Sequence, residues 1–283
     1  SVGLSHQSYN IDGHQWALAL DAATQVSCYR NDLITSHPKS WDDLFQLSKN
    51  NKVIWPLKPV HAISSFYSIY NNITEEFKPS NKNFIQKDFG VKTLQLMKQI
   101  SQYLPSECFG MDPIQTAEIL SENNDFFYSP YTYGFSNYSR KGYRKNLLTY
   151  GNVIDLLGKG PHGTHLGGTG IAISNKSKNK ELALEYSFWI AGSECQQTIF
   201  YTSGGQPGNS DAWENNNINF ETNNFFKNTR LTLDQAWIRP RHNGYMKFQD
   251  ESGDIINEYL QSNVNEVNVI DKLKLMYTES FEE

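Results

Sequence analysis

Residues 166–191, LGGTGIAISNKSKNKELALEYSFWIA, join three unlike pieces in a fixed order. Glycines lead into a short apolar run, a turn of lysines and asparagines follows, and apolar residues then recur at helical spacing. A strand end that feeds an amphipathic helix is the repeating unit of layered α/β folds, because each element must bury one face against the other.

The rest of the chain keeps this alternation. Ser40 stands where a helix N-cap would, with Asp42 and Asp43 in the first turn, where carboxylates favour the helix dipole. Asp112 and Pro113 form a second start, the proline at the first helical position. Val91, Leu94, Met97 and Ile100 give residues 89–104 an apolar stripe. Short apolar runs at 16–20, 52–57 and 170–174 read as strands. The tyrosine-rich stretch 125–139 reads as strand and loop, 239–250 as a tight linker, and 253–261 and 269–277 as closing helices.

With 283 residues the chain is long enough for two domains or one large one. Its net charge of −5 disfavours a general nucleic-acid binder. No run approaches the ~18 apolar residues of a membrane span. Residues 1–15 are polar and lack the charged-then-apolar pattern of a signal peptide, so export would need a leader outside this sequence. Cys28, Cys108 and Cys195 are far apart and show no metal or redox spacing.

Several short motifs fail the context their chemistry needs. GKGPHG at 158–163 matches the dinucleotide pattern G-x-G-x-x-G, but no helix opens after it to receive a pyrophosphate. His162 and His165 lack the helix and the glutamate of a zinc-protease site; a hydrogen-bonding role for His162 fits better, and a plain loop better still. There is no G-x-S-x-G nucleophile elbow, and no cofactor is indicated. RPRHNGY at 239–245 holds Arg239 and Arg241 around a stiff Pro240, either to anchor a polar ligand or to pair with carboxylates.

Four stretches in order resemble the extracellular solute-binding proteins of ABC importers, in their sugar-binding branch. These are DGHQWALALDAATQVSCYRNDLI, HPKSWDDLFQLSK, the passage from Leu166 to Gln197, and SGGQPG with RPRHNGYMKFQ. The third is the most specific. The resemblance implies an α/β, two-lobe, periplasmic-binding-protein type II fold with hinge-linked lobes, residues 1–27 and 166–237 in the first and 28–165 and 238–283 in the second. Family members carry about a hundred residues ahead of the crossing strand, so the first lobe is expected to be incomplete, with a separate chain or segment as one way to complete it. In that frame Leu182, Tyr186, Trp189 and Ile190 would pack on the first-lobe sheet.

The implied function is capture of a carbohydrate or related polar solute between the lobes, without catalysis, and delivery to ABC membrane subunits outside the cytoplasm. The alternative is a carbohydrate-active enzyme or an interaction module on a similar frame. A sugar needs stacking faces and planar hydrogen-bonding groups. The candidate contacts are Asp21, Gln25, Tyr128, Tyr131, Tyr133, Gly167, Gly168, Gly205, Gln206, Trp237, Arg239, Arg241 and Tyr245.

Overall fold

The computed structural model describes residues 1–34, 36–74, 79–80 and 84–282. The first strands are β1 (Asn10–Ile11), β2 (His14–Gln15), β3 (Leu18–Ala19) and β4 (Ala23–Tyr29). Helices α1 (Trp41–Lys49), α2 (Pro59–Ile73), α3 (Lys87–Ser101) and α4 (Pro113–Glu122) follow. Then come β5 (Tyr128–Tyr133), β6 (Thr149–Gly151), β7 (Leu166–Gly167) and β8 (Gly170–Ile171). The remainder is helical: α5 (Lys180–Ala191), α6 (Ser193–Gln197), α7 (Ile199–Thr202), α8 (Ser210–Glu214), α9 (Asn216–Glu221), α10 (Phe225–Asp234), α11 (Tyr245–Gln261) and α12 (Glu266–Glu279). No helix among the described residues is long and apolar enough to cross a membrane.

Strand β4 organises the molecule. β5 pairs antiparallel along one of its edges, with a bulge between Val26 and Cys28. β6 and β7 pair antiparallel with β4 at Ser27–Tyr29 and at Ala23–Thr24. Side chains alternate across a strand. Val26 and Cys28 therefore join a core with Leu120, Tyr150, Trp213, Phe225 and Phe226, under α4, α8 and α10. Tyr29 instead meets the core of Trp55, Phe66, Tyr67, Tyr131, Phe248 and Tyr277, under α2, α11 and α12. The sheet is thus covered on both faces. Helices α8 to α10, although they fall within 166–237, belong to this sandwich.

Helix α2 is enclosed, with twelve of its residues buried. Its serines stay satisfied inside by bonding back one turn: Ser64 Oγ donates to Val60 O at 2.7 Å and Ser68 Oγ to Ser64 O at 3.0 Å. Gly253 of α11 lets the two helices touch backbone to backbone. A Cβ there would lie 2.5 Å from the Pro59 carbonyl oxygen. Arg30, 1% exposed, ties strand to helix. It forks onto Asp32 at 2.8 and 2.7 Å and donates to the Leu120 and Asn123 carbonyls.

The predicted caps are present. Ser40 Oγ accepts from the Asp43 amide and Asp112 from the Gln115 amide, each as a full capping box. Other expectations are corrected. Residues 52–57 make one parallel bridge, Val53 to Tyr128, rather than a strand, since Pro56 has no N–H to give a ladder. Trp16 is 65% exposed, and only Leu18–Ala19 of the run 16–20 is strand. The region read as a linker becomes helical at Tyr245, because Gly244 takes the left-handed conformation ahead of the first turn. The three cysteines are free and buried.

The largest departure is α5. Of its predicted face only Ile190 is half-buried; Leu182, Tyr186 and Trp189 are exposed, as are Leu184 and Phe188 on the other side. The sheet it contacts is the two-stranded pair β3–β8, too narrow to cover all of its large apolar side chains.

Candidate functional site

Four chain segments converge where the sandwich passes into the β3–β8 ribbon. Asp21 bridges Pro207, and His165 bridges Trp237. Gly208 N donates to Leu20 O at 2.9 Å, Trp237 N to Thr164 O at 2.7 Å and Leu166 N to Trp237 O at 2.9 Å. Thr24 Oγ1 and Thr164 Oγ1 bond at 2.7 Å beneath them. The backbone here is locked, so side chains leaving it are held in fixed directions.

Tyr133, at the end of β5, lies on this junction. Its hydroxyl donates to His165 O and approaches His165 Nδ1, both at 3.2 Å. Its ring lies edge-on to His61, 6.2 Å away. Gly167 leaves room for that ring, since a Cβ would come 2.7 Å from Tyr133 Cε1. Gly168 has φ +117°, and an added Cβ would strike the Asp21 carbonyl, so no other residue fits comfortably. Trp237, half-buried, tilts over Tyr67 at 5.0 Å and His165 at 6.1 Å. Arg239 donates to Gln249 Oε1 at 2.8 Å. Its charge reaches Tyr9, Tyr67, Tyr133, His165 and Tyr245. Arg241 lies over the Tyr9 ring at 5.9 Å and, with His6, Gln15 and Ile238, lines a polar hollow of about 580 Å³.

Asp21, Tyr133, Gly167, Gly168, Trp237, Arg239 and Arg241 therefore stand around one junction, joined by Tyr9, His61 and His165, which the sequence reading passed over as contacts. Other expected contacts lie elsewhere. Gln25 is fully buried, donating to Ser65 Oγ and accepting from Ser68 Oγ, and is a strut between β4 and α2. Tyr131 and Tyr128 are buried in the sandwich core, Tyr131 stacked on Trp55 and Tyr128 on Tyr29. Tyr245 is buried with its hydroxyl on Tyr67. Gln206 spans Ser136 N and Ala22 O, and Gly205 closes the turn after α7 against Phe200. The amides of Gln25 and Gln206 and the Tyr245 hydroxyl are engaged within the fold, and the Tyr128 and Tyr131 hydroxyls are buried without a partner.

The GKGPHG loop also finds its use. The Asp155 carboxylate accepts from the amides of Leu157, Gly158, Lys159 and Gly160, so the chain's own carboxylate fills the anion nest. His162 bonds the Gly160 carbonyl at 2.9 Å.

Burial sets the electrostatics. The Asp21 carboxyl is pushed up to about 6 by desolvation. Its folded form thus holds its proton where the unfolded chain has lost it. Stability falls as pH rises from about 4 to about 6, and the penalty persists above that. Asp21→Asn is expected to raise stability by roughly 1–3 kcal/mol at pH 7.5 and by almost nothing at pH 3.5. Urea midpoints at the two pH values check this, and an equal gain at both would contradict it.

The fold, a sandwich beside a smaller ribbon with half-buried aromatics, two arginines and a desolvated carboxylate at their junction, is the two-lobe periplasmic-binding-protein type II fold. The chain belongs to the bacterial extracellular solute-binding protein family, whose sequence model matches residues 5–225. Comparison with curated protein sequences gave no match. Among solved structures it is similar to maltose-bound MalE3 of T. maritima, at 15% identity and TM-score 0.80, over 96% of this chain and 74% of that one. It is similar to a ribitol-bound ABC transporter solute-binding protein of Agrobacterium radiobacter, at 17% identity and TM-score 0.74, over 98% and 75%. The maltose-bound MalE of Listeria monocytogenes matches at 14% identity and TM-score 0.76, over 97% and 74%.

Proposed function

We propose that the chain captures a neutral polyhydroxylated solute, a sugar or polyol, at this junction and presents it to the membrane subunits of an ABC importer, without chemical change. The observation that carries the reading is the half-buried grouping of Tyr133 and Trp237 beside Arg239 and Asp21. It offers aromatic faces and charged hydrogen-bonding groups side by side, the combination a sugar ring needs. The maltose and ribitol bound in the similar structures support the same class. Ligand contact is assigned to Asp21, Tyr133, Gly167, Gly168, Trp237, Arg239 and Arg241. Closure of the lobes about the crossing segments would trap the solute. The place of action is outside the cytoplasm, in a periplasm or at a cell surface.

The five exposed large apolar side chains of α5 fit a lobe whose sheet is completed by a further segment or chain. Covering five large side chains would contribute about 1.5–3 kcal/mol for each one fully buried.

Calorimetric titration with maltotriose and ribitol tests the reading. Trp237→Ala and Arg239→Ala are each expected to weaken the better ligand by about ten-fold or more. Affinities unchanged in both variants would move the site elsewhere, and release of hydrolysis products would favour the enzyme alternative.

A further inference from the structure

A cavity of about 1040 Å³ lies on the sandwich away from the junction. Its walls come from Ser139–Lys141 and from α8, α9 and α10. Asn223 and Asn224, both left-handed at φ 50° and 59°, turn the chain sharply between the two helices at its rim.

Charge in the cavity is unevenly cancelled. Arg140, Lys141, Lys227 and Arg230 face Glu214, Glu221 and Asp234. Arg230 takes up two of the carboxylates, Asp234 at 2.7 Å and Glu214 at 3.6 Å. Glu221 accepts from the Tyr201 hydroxyl at 2.8 Å. Lys141 and Lys227 pair with no carboxylate among the described residues. The Arg140 guanidinium stacks 4.0 Å over the Tyr201 ring and gives Nη2 to the Tyr201 carbonyl, while its Nε is buried without an acceptor. This cationic surplus stands in a chain of net charge −5. Beside it, the Phe220 ring is 82% exposed, a large apolar face with nothing folded over it.

A stacking face, unspent cations and exposed Asn216 and Asn224 amides suit one chemistry: a sugar ring that carries an acid. The volume is at the upper end of small-ligand sites and admits two or three such rings. We propose that this cavity is a second binding site, for an acidic saccharide of the uronate class, with its carboxylate toward Arg140, Lys141 and Lys227 and a ring face on Phe220. The site is separate from the junction and does not depend on what the junction binds.

Titration calorimetry with tri-galacturonate, and with maltotriose as the neutral counterpart, tests it on the protein and three variants. Lys227 and Phe220 are exposed, so Lys227→Glu and Phe220→Ala should leave the melting temperature unchanged. Each is expected to weaken tri-galacturonate by about ten-fold or more. Trp237→Ala, at the junction, should leave that affinity as it was. The proposal is overturned if tri-galacturonate gives no binding heat, if Trp237→Ala rather than the cavity variants abolishes it, or if the cavity variants weaken maltotriose equally.

Discussion

Gly253→Leu is expected to destabilise the protein by about 3 kcal/mol or more and to lower its melting temperature by roughly 6–12 °C. Even the first carbon of a side chain at this position would sit 2.5 Å from the Pro59 carbonyl oxygen and 2.7 Å from its carbonyl carbon. Both are backbone atoms at the start of α2, so no rotamer change relieves the clash. α11 must move away from α2, and the core of Phe66, Tyr67, Tyr245 and Phe248 between them opens. Such a core resists expansion because it is close-packed. Thermal melts and urea titrations of Gly253→Ala and Gly253→Leu give the size. A Leu variant melting within about 2 °C of the parent would show that the contact is not tight.

Acidification should produce the second large effect, through His165. Its imidazole is buried; Nδ1 lies 2.9 Å from Ser64 Oγ, and Nε2 is buried without a partner. Ser64 already donates to Val60, so Nδ1 carries the proton toward Ser64 and Nε2 keeps a bare lone pair. A second proton would have to sit on Nε2 with nothing to accept from it. Burial first, and then the charges of Arg239 and His61, push this histidine down to about 3. The unfolded chain binds that proton below about 6.5 and the folded chain does not. Stability is therefore complete above 6.5 and is lost as pH falls toward 3, by up to roughly 1.4 kcal/mol per pH unit. His61, pushed down to about 4, adds the same sign, while Asp21 opposes it between about 4 and 6. The comparison that isolates His165 is the parent against His165→Gln, by urea midpoints at pH 7.5 and 4.5. The gap between the two proteins should shrink at pH 4.5 by about 2 kcal/mol or more. A gap independent of pH would mean that the ring is protonated in the fold.

What could be read from the residues was mostly local. The Ser40 and Asp112 caps depend on side chains within three residues of each other, and both form as the sequence predicts. Order along the chain was legible in the same way, since the four quoted stretches fall in the sequence of a solute-binding protein. The contact residues were harder, because burial is a tertiary property. Tyr131 and Tyr133 are two apart on one strand, so both fall on the same face. Tyr131 ends under Trp55, while Tyr133, at the strand end, reaches the junction. Gln25 and Gln206 look like ligand-binding amides until the serines and carbonyls they hold are seen. His165 was read beside His162 as a loop residue, and pairing with Trp237 turns it inward. One sequence clue to this existed: the serines at 64, 65 and 68 place three hydroxyls within two turns of one helix, where a polar side chain could meet them. On α5 the periodicity was right about the helix and silent about whether anything covers it.

The most direct measurement is a thermal-shift and calorimetric screen of this chain against neutral di- and trisaccharides, pentitols and hexitols, with mass spectrometry of any molecule that co-purifies. One class is expected to raise the melting temperature in proportion to the logarithm of its concentration, to be recovered unaltered and to bind once per chain. A melting transition indifferent to every member of the panel, with nothing co-purifying, would contradict the assignment of the Tyr133–Trp237–Arg239 junction as a solute site.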